Sequence, residues 1–151
     1  MLLRRAESKD ARDIFLWRDD AQTRAMSRNT QPLDEQTHNV WFEKVLADPA
    51  RVLLVGVILE APVGMVRFDR KNEVASWEIS ITLAPGERGK GFGRRLLILA
   101  VEYFFVANPE SILLAEVKKS NMISLRMFES AGFFRKENCD QSLQILLVRE
   151  C

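Results

Sequence analysis

A glycine-rich stretch in the middle of the chain has the composition and spacing that point most directly to chemistry. Four of the seven glycines lie between residues 86 and 93, and they are interleaved with basic side chains: Arg88, Lys90, Arg94 and Arg95. Glycines allow successive backbone N–H groups to converge on one anion, and a helix N-terminus adds unpaired donors and partial positive charge. Because an apolar helix is predicted over 92–106, we predict that this turn binds a phosphate or pyrophosphate.

Two common kinds of phosphate-binding turn do not match this spacing. Gly89, Gly91 and Gly93 alternate, whereas a dinucleotide-binding fingerprint requires G-x-G-x-x-G. Lys90 is followed by Gly91 rather than by Ser or Thr, which excludes a Walker loop. A tight connection between a strand and a helix, with basic residues on the surface, is the simplest alternative to an anion site.

The elements that must position this turn follow from the apolar periodicity. They are a strand at 2–6, a helix capped by Ser8, a helix capped by Asp34, strands at 52–59, 63–69 and 74–83, the helix at 92–106, a strand at 112–117, a helix at 121–131 ended by Gly132, and two closing strands. A helix between two strands makes them parallel. The order β-α-α-β-β-β-α-β-α-β-β therefore predicts an α/β sandwich with a mixed sheet.

Length, charge and cysteine content limit the classes of function. The 151 residues and 47% hydrophobic content are typical of one domain, spanning 1–151. A formal net charge of +1 argues against binding nucleic acid or an anionic membrane. Cys139, Cys151 and the single His38 lack metal-ligand spacing, so no metal is expected. No apolar run approaches the roughly 20 residues that cross a bilayer, which predicts a soluble, cytoplasmic protein.

The glycine-rich turn resembles the acetyl-CoA motif R/Q-x-x-G-x-G/A of the GNAT acetyltransferases, which lies at the same strand-to-helix junction. The motif here is Arg88-Gly89-Lys90-Gly91-Phe92-Gly93. A second family signature, an Asn that opens the next helix and a Gly-Phe that ends it, is present as Asn121 and Gly132-Phe133. The resemblance covers nearly the whole chain. It implies an N-acetyltransferase that uses acetyl-CoA, with a mostly antiparallel sheet and helices on both faces.

The resemblance also implies how acetyl-CoA is held. Backbone N–H groups of the turn would hold the pyrophosphate, and the pantetheine arm would lie along a strand end where two parallel strands splay apart. The Leu83 N–H would polarise the thioester carbonyl. Many members protonate the departing thiolate with a tyrosine where this chain has Phe128, which leaves water or Ser124 for that step and places Phe128 beside the sulfur. The predicted cofactor residues are Ile81, Thr82, Leu83, Arg88, Gly89, Lys90, Gly91, Phe92, Gly93, Arg94, Asn121, Ser124 and Phe128.

Two carboxylates are candidates for the catalytic base. Acetyl transfer requires a neutral amine, so a base must take a proton from it. Glu116, near the end of the fifth predicted strand, lies where some relatives carry their base, and Glu78 projects from the polar face of the fourth strand. We favour Glu116 over Glu78. The alternatives are a solvated strand position for Glu78 and an ion pair between Glu116 and Lys118.

The N-terminal third is expected to bind the acceptor. Residues there resemble the branch of the family that acetylates the 4-amino group of a nucleotide-linked dideoxy sugar in pseudaminic-acid biosynthesis: Arg18, Arg24, Arg28, His38 and Trp41. The arginines would meet a diphosphate, and Trp41 or His38 would stack on a base or pack against the sugar. The alternatives are a core position for Trp41 and a structural, hydrogen-bonded role for His38.

Three further possibilities concern the acceptor and the assembly. The second acceptor class is a protein N-terminal amine, as in the related ribosomal-protein acetyltransferases. A domain that binds acyl-CoA as a sensor, without turnover, would also need the glycine-rich turn. The assembly is expected to be a monomer or a homodimer.

Overall fold

Seven strands and five helices occur in the part of the chain that the computed structural model describes, residues 1–72, 75–136 and 144–150. Two short 3-10 helices, Ser8–Asp10 and Pro85–Glu87, precede the first and fourth helices. Cys139 and Cys151 lie outside the described residues. The elements in chain order are β1 (Leu2–Arg5), α1 (Ala11–Asp19), α2 (Ala21–Ala25), α3 (Glu35–Ala47), β2 (Arg51–Ile58), β3 (Ala61–Arg70), β4 (Ser76–Leu83), α4 (Phe92–Ala107), β5 (Ile112–Lys118), α5 (Met122–Ser130), β6 (Phe134–Arg135) and β7 (Gln144–Glu150).

The strands form one sheet in the order β1-β2-β3-β4-β5-β7-β6. β4 and β5 run parallel, and the other described neighbours in the sheet are antiparallel. These two strands are parallel because α4, which connects them, returns the chain to the edge of the sheet at which β4 begins. The prediction of a mixed, mostly antiparallel sheet is confirmed.

Each face of the sheet carries its own core because successive strand residues point to opposite faces. Leu53 and Val55 of β2 pack with Ile14 of α1 and Phe42 of α3. Leu54, between them, belongs to the cluster that contains the buried side chains of α4 and α5. The prediction of helices on both faces is therefore also confirmed.

Helix α4 fixes the glycine-rich turn against the sheet. Leu96, Ala100 and Phe104 recur at four-residue spacing and are buried, which is typical of a helix with one apolar face. The Phe104 ring stacks on Phe68 of β3 at a centroid distance of 4.4 Å, and Trp77 of β4 meets it edge-on at 5.1 Å. Truncating such a buried aromatic ring costs about 3–5 kcal/mol. At the other end of the helix, a Cβ at Gly93 would lie 3.2 Å from Leu83 Cδ1, so the start of α4 packs directly against the end of β4.

The parallel strands β4 and β5 pair over only part of their length. Their register runs from Ser76 opposite Ile112 to Glu78 opposite Leu114, and no pairing between them follows. Both strands continue past that point, β4 to Leu83 and β5 to Lys118. The divergence opens a cleft at the end of the pair, as the resemblance implied.

The structure corrects three local predictions. Helix α2 was not predicted, because its five residues bury no side chain and so leave no apolar period. Ser8 lies in a 3-10 helix rather than at an N-cap, and α1 begins after Asp10. The strand predicted from Val74 starts at Ser76, since Ala75 has a φ of 60° that cannot continue a strand, and Val74 lies outside the described residues.

Candidate functional site

A cavity of about 550 Å³ lies where β4 and β5 diverge. One wall is the end of β4, and the opposite wall is the end of β5 together with α5. Helix α2 and the segment that follows it form a third side, and the first residues of the glycine-rich turn form a fourth. The fold therefore brings the predicted cofactor turn, both candidate bases and part of the N-terminal third around one space.

The glycine-rich turn has the backbone that an anion cradle requires. Gly89 and Gly91 have φ values of 75° and 78°, a left-handed region that favours glycine, and Gly91 is the N-cap of α4. A Cβ at either position would meet no atom within 4 Å, so open space lies beside the turn. Gly93 has a different role, because a Cβ there would come within 2.9 Å of Met127 Sδ. The turn fits a pyrophosphate, and Gly93 permits close packing on α5.

The predicted cofactor residues divide into two groups. Those that line the cavity are Ile81, Thr82, Leu83, Arg88, Gly89, Asn121, Ser124 and Phe128. Those that form the turn and the helix start outside its lining are Lys90, Gly91, Phe92, Gly93 and Arg94. The charged members of the second group have protein partners, since Lys90 pairs with Glu87 at 3.0 Å and Arg94 donates to Ser130 at 3.2 Å.

Helix α5 presents a capped start and a buried ring to the cavity. Asn121 is the N-cap, and its Oδ1 accepts from the Ser124 N–H at 3.2 Å. Phe128 is buried and meets Phe133 edge-on at a centroid distance of 5.0 Å. The ring is therefore held in place at the cavity wall, and it has no hydroxyl to donate a proton.

Both candidate bases line the cavity, and one arginine joins them. Nη2 of Arg28 lies 2.9 Å from Oε1 of Glu78 and also contacts Oε2 of Glu116. Lys71 Nζ lies 2.5 Å from the other oxygen of Glu78. Burial alone would raise the pKa of Glu78, but hydrogen bonds from Lys71 and Arg28 hold that pKa below its usual value. Glu78 is consequently a charged carboxylate at neutral pH.

Arg18 faces the same cavity in a different environment. Its Nη1 lies 3.0 Å from His38 Nδ1, and its guanidinium lies 4.0 Å from the centre of the Trp41 ring. Burial, together with the charge of Arg67, lowers the pKa of Arg18 to about 10. Within the part of the chain that the structure describes, no carboxylate forms an ion pair with Arg18. Arg18 is therefore a cation with neutral protein partners that lines the cavity.

His38 and Trp41 hold Arg18 rather than forming the cavity wall. His38 is buried, its Nε2 lies 2.9 Å from the Ala11 carbonyl oxygen, and its Nδ1 accepts from Arg18, which can only donate. Burial lowers the pKa of His38, the bond to Ala11 opposes this, and the charge of Arg18 lowers it further. Neither His38 nor Trp41 lines the cavity. The prediction that they stack on a base or sugar is corrected, because packing against Arg18 occupies them.

Arg24 and Arg28 also differ from the prediction. Arg24 does not line the cavity, and its guanidinium bonds to the carbonyl oxygens of Asp19 and Thr30, which closes the loop after α2. Arg28 lines the cavity but pairs with Glu78 and Glu116. Of the three arginines expected to meet a diphosphate, Arg18 is the one without a carboxylate partner in the described chain.

Three contributors to the site were not assigned a role from the sequence. Asp20 binds Arg88 at 2.5 Å, Lys71 binds Glu78, and Arg67 lines the cavity with its Nε 2.7 Å from Asp69. Arg67 had a usable signal, because it alternates with buried Val66 and Phe68 on β3. Asp20 and Lys71 had none, since both lie outside the strands and helices that periodicity defines.

Comparison with known proteins identifies the class. Residues 1–134 match the sequence profile of the acetyltransferase (GNAT) domain. Because that match covers most of the chain, the protein belongs to the GNAT acetyltransferase family. It is an acetyl-CoA-dependent N-acetyltransferase. Comparison with curated proteins gives no significant match.

Solved structures share the fold over nearly the whole chain. The structure of yncA from Salmonella typhimurium with its cofactor acetyl-CoA is 21% identical with a TM-score of 0.81, and the match covers 99% of this chain and 93% of that one. Ribosomal-protein-alanine N-acetyltransferase from Brucella melitensis is 24% identical with a TM-score of 0.80, covering 98% and 97%. Spermidine N-acetyltransferase from Vibrio cholerae, in complex with CoA and spermine, is 21% identical with a TM-score of 0.82, covering 97% and 92%.

Two further properties concern only the described residues. No helix among them combines the length and the apolar composition that a membrane span requires. In the same residues, no three His, Cys, Asp or Glu side chains come together in a group that could hold a metal ion.

Proposed function

We propose that the acceptor is a small molecule with both a primary amine and an anionic group, and that it is a nucleotide-linked amino sugar. The observation that carries this proposal is Arg18, a cavity-lining cation whose protein partners are neutral. A phosphate would supply the charge-assisted hydrogen bonds that Arg18 lacks. His38 and Trp41 hold the guanidinium in place before the acceptor arrives, which lowers the entropy cost of binding.

The turn and the two strand ends supply the donor side of the site. Backbone N–H groups from Gly89 to Arg94 bind the pyrophosphate of acetyl-CoA, because the left-handed glycines and the start of α4 are concentrated there. The pantetheine arm extends along Ile81–Leu83, and Asn121 lies across the cleft from it. Acetyl-CoA supplies the acetyl group, which passes to the amine nitrogen as the carbon–sulfur bond breaks.

Glu116 is the proposed base. It takes a proton from the acceptor's ammonium group, so that the nitrogen lone pair is free to attack. Glu78 is held charged by Lys71 and assists by binding the ammonium group. The departing thiolate takes its proton from water or from the Ser124 hydroxyl, since Phe128 has none to give.

Two neighbours suggest other acceptors. The Brucella structure is named for the alanine of a ribosomal protein, and the Vibrio structure is a spermidine acetyltransferase. A polyamine carries no anion, so it would leave Arg18 without a charged partner. A protein N-terminus could bring a carboxylate side chain to Arg18 and is therefore the second candidate.

The test compares acceptors by the rate of thiol release. A UDP-linked 4-amino sugar, short peptides with free N-termini and spermidine are each assayed with wild-type protein and with Arg18→Met, which keeps an unbranched apolar stem and removes the guanidinium charge. We expect the wild-type protein to turn over the nucleotide sugar. In Arg18→Met, the KM for this acceptor should rise by about tenfold or more, which is the effect of losing one hydrogen bond to a charged group. The affinity of Arg18→Met for acetyl-CoA should be unchanged. Arg12→Met is the control, because Arg12 pairs with Glu35 away from the cavity. Efficient acetylation of peptides, without turnover or inhibition by UDP compounds, would replace the proposal with the ribosomal-type activity.

A further inference from the structure

We propose that Arg28 is a specificity-determining residue: its guanidinium occupies the place of the acceptor's ammonium group, and the acceptor must displace it. The proposal rests on the proposed function in one respect, the assignment of Glu78 and Glu116 to the acceptor amine. One nitrogen of Arg28, Nη2, contacts both carboxylates. A primary ammonium group at the same point would present its N–H donors to the same two oxygens.

The two carboxylates are fixed parts of the site. Glu78 lies on β4 and Glu116 on β5, at or just beyond the point where pairing between these strands ends. The Glu78 side chain is 14% exposed and is also bound by Lys71. The pair therefore persists as a cation site when Arg28 leaves.

Arg28, in contrast, is held weakly. Its side chain is 55% exposed and belongs to the irregular segment between α2 and α3. Polar contacts to its backbone connect this segment to the rest of the protein, including the bond from the Leu33 N–H to Asp19 Oδ1 at 2.8 Å. The arginine end of both ion pairs is open to water, which solvates the guanidinium when it leaves and so limits what the pairs contribute to stability. The Arg28 side chain can rotate out of the site while the backbone contacts stay in place.

Displacement of Arg28 makes the site selective. When the acceptor's ammonium group takes the carboxylates, the guanidinium loses both of its partners. An acceptor that carries a phosphate or carboxylate offers a new partner to Arg28, and a plain amine does not. Arg28 therefore favours acceptors that bear an anion and discriminates against simple cationic amines.

The test uses ligands that measure the carboxylate pair without turnover. Binding of methylguanidine and of n-butylamine to the CoA-loaded protein is measured by calorimetry for wild type, Arg28→Ala and Arg28→Lys. We expect Arg28→Ala to bind both ligands at least about fivefold more tightly than wild type, the size expected from a lost exposed ion pair. Arg28→Lys should behave like wild type, because its ammonium group refills the site. Adding Glu116→Gln to Arg28→Ala should reverse the gain.

Controls separate the possible outcomes. Arg12→Ala removes an exposed arginine elsewhere and should bind both ligands as wild type does. Matching thermal melts for wild type and Arg28→Ala show that the fold is intact. Equal affinity of wild type and Arg28→Ala, or weaker binding by Arg28→Ala, would overturn the proposal. A failure of the proposed function is a separate result, because it appears as absent turnover of the nucleotide sugar and leaves these binding measurements unaffected.

Discussion

Arg88 of the glycine-rich turn binds Asp20, the N-cap of α2, with Nη2 of the arginine 2.5 Å from Oδ2 of the aspartate. The same guanidinium donates to Gln22 and Thr23 of that helix. The Arg88 guanidinium holds the pKa of Asp20 below its usual value. The contact joins the turn assigned to acetyl-CoA to the helix that covers the acceptor side of the cavity.

This contact predicts that Asp20→Ala weakens acetyl-CoA binding several-fold, although Asp20 is not assigned to the cofactor. Loss of the carboxylate frees the Arg88 side chain and loosens the turn. Asp34→Ala is the matched control, since Asp34 caps α3 in the same way and lies outside the cavity lining. In a double-mutant cycle on the acetyl-CoA Kd, Asp20→Ala and Arg88→Ala should be non-additive. Additive effects would show that the contact does not support the turn.

Gly91→Glu is predicted to abolish detectable acetyl-CoA binding. Gly91 has a φ of 78°, which would strain the backbone of any residue that carries a Cβ. The glutamate side chain would also bring negative charge to the open space beside the helix start. Gly86→Glu is the matched control, because a Cβ at Gly86 also meets no atom within 4 Å and no left-handed φ is required there. Calorimetry should show near wild-type affinity for the control. Wild-type affinity in a folded Gly91→Glu variant would exclude this turn as the pyrophosphate site.

Glu116→Gln is predicted to lower the rate at pH 7 by about 100-fold, the lower end of the usual contribution of a general base. The rate should recover as pH rises, because more of the acceptor amine is then neutral without help. Glu78→Gln should lose less rate and raise the acceptor KM instead. Glu43→Gln, an exposed site on α3 outside the cavity, serves as the control. Full activity of both cavity variants at pH 7 would rule out direct catalysis by either carboxylate.

His38 is predicted to make stability depend on pH below about 6.5. Its pKa in the folded protein is lower than the value of about 6.5 that it has when unfolded, so the unfolded chain binds the extra proton first. The contribution of His38 to the free energy of unfolding therefore has its full value above pH 6.5, and it declines as pH falls toward the folded-state pKa. His38→Leu should remove this pH dependence. It should also lower the free energy of unfolding at pH 7.5 by about 1–3 kcal/mol, because Arg18 and the Ala11 carbonyl each lose a hydrogen-bond partner. Urea unfolding of both proteins from pH 5 to 8 measures both effects, and an unchanged slope in His38→Leu would contradict the prediction.

Local patterns in the sequence were sufficient for the framework of the site. The apolar residues of α4 recur at helical spacing, the glycines before it permit the left-handed backbone found there, and the alternation along β4 identifies its buried face. These features depend on residues within a few positions of each other, so periodicity and turn chemistry record them. The acetyl-CoA motif lies within this class, which is why its family was recognisable from the chain alone.

The roles of the three arginines in the N-terminal third were decided only by the tertiary structure. Arg18, Arg24 and Arg28 look equivalent in the sequence, yet one faces the cavity with neutral partners, one closes a loop and one bridges Glu78 and Glu116. The partner of Arg28 on β5 lies 88 residues away along the chain. The sequence does not identify this partner, because an irregular segment has no periodic pattern that shows which way its side chains point. The packing of α2 and the loop after it over the diverging strands determines which charges meet.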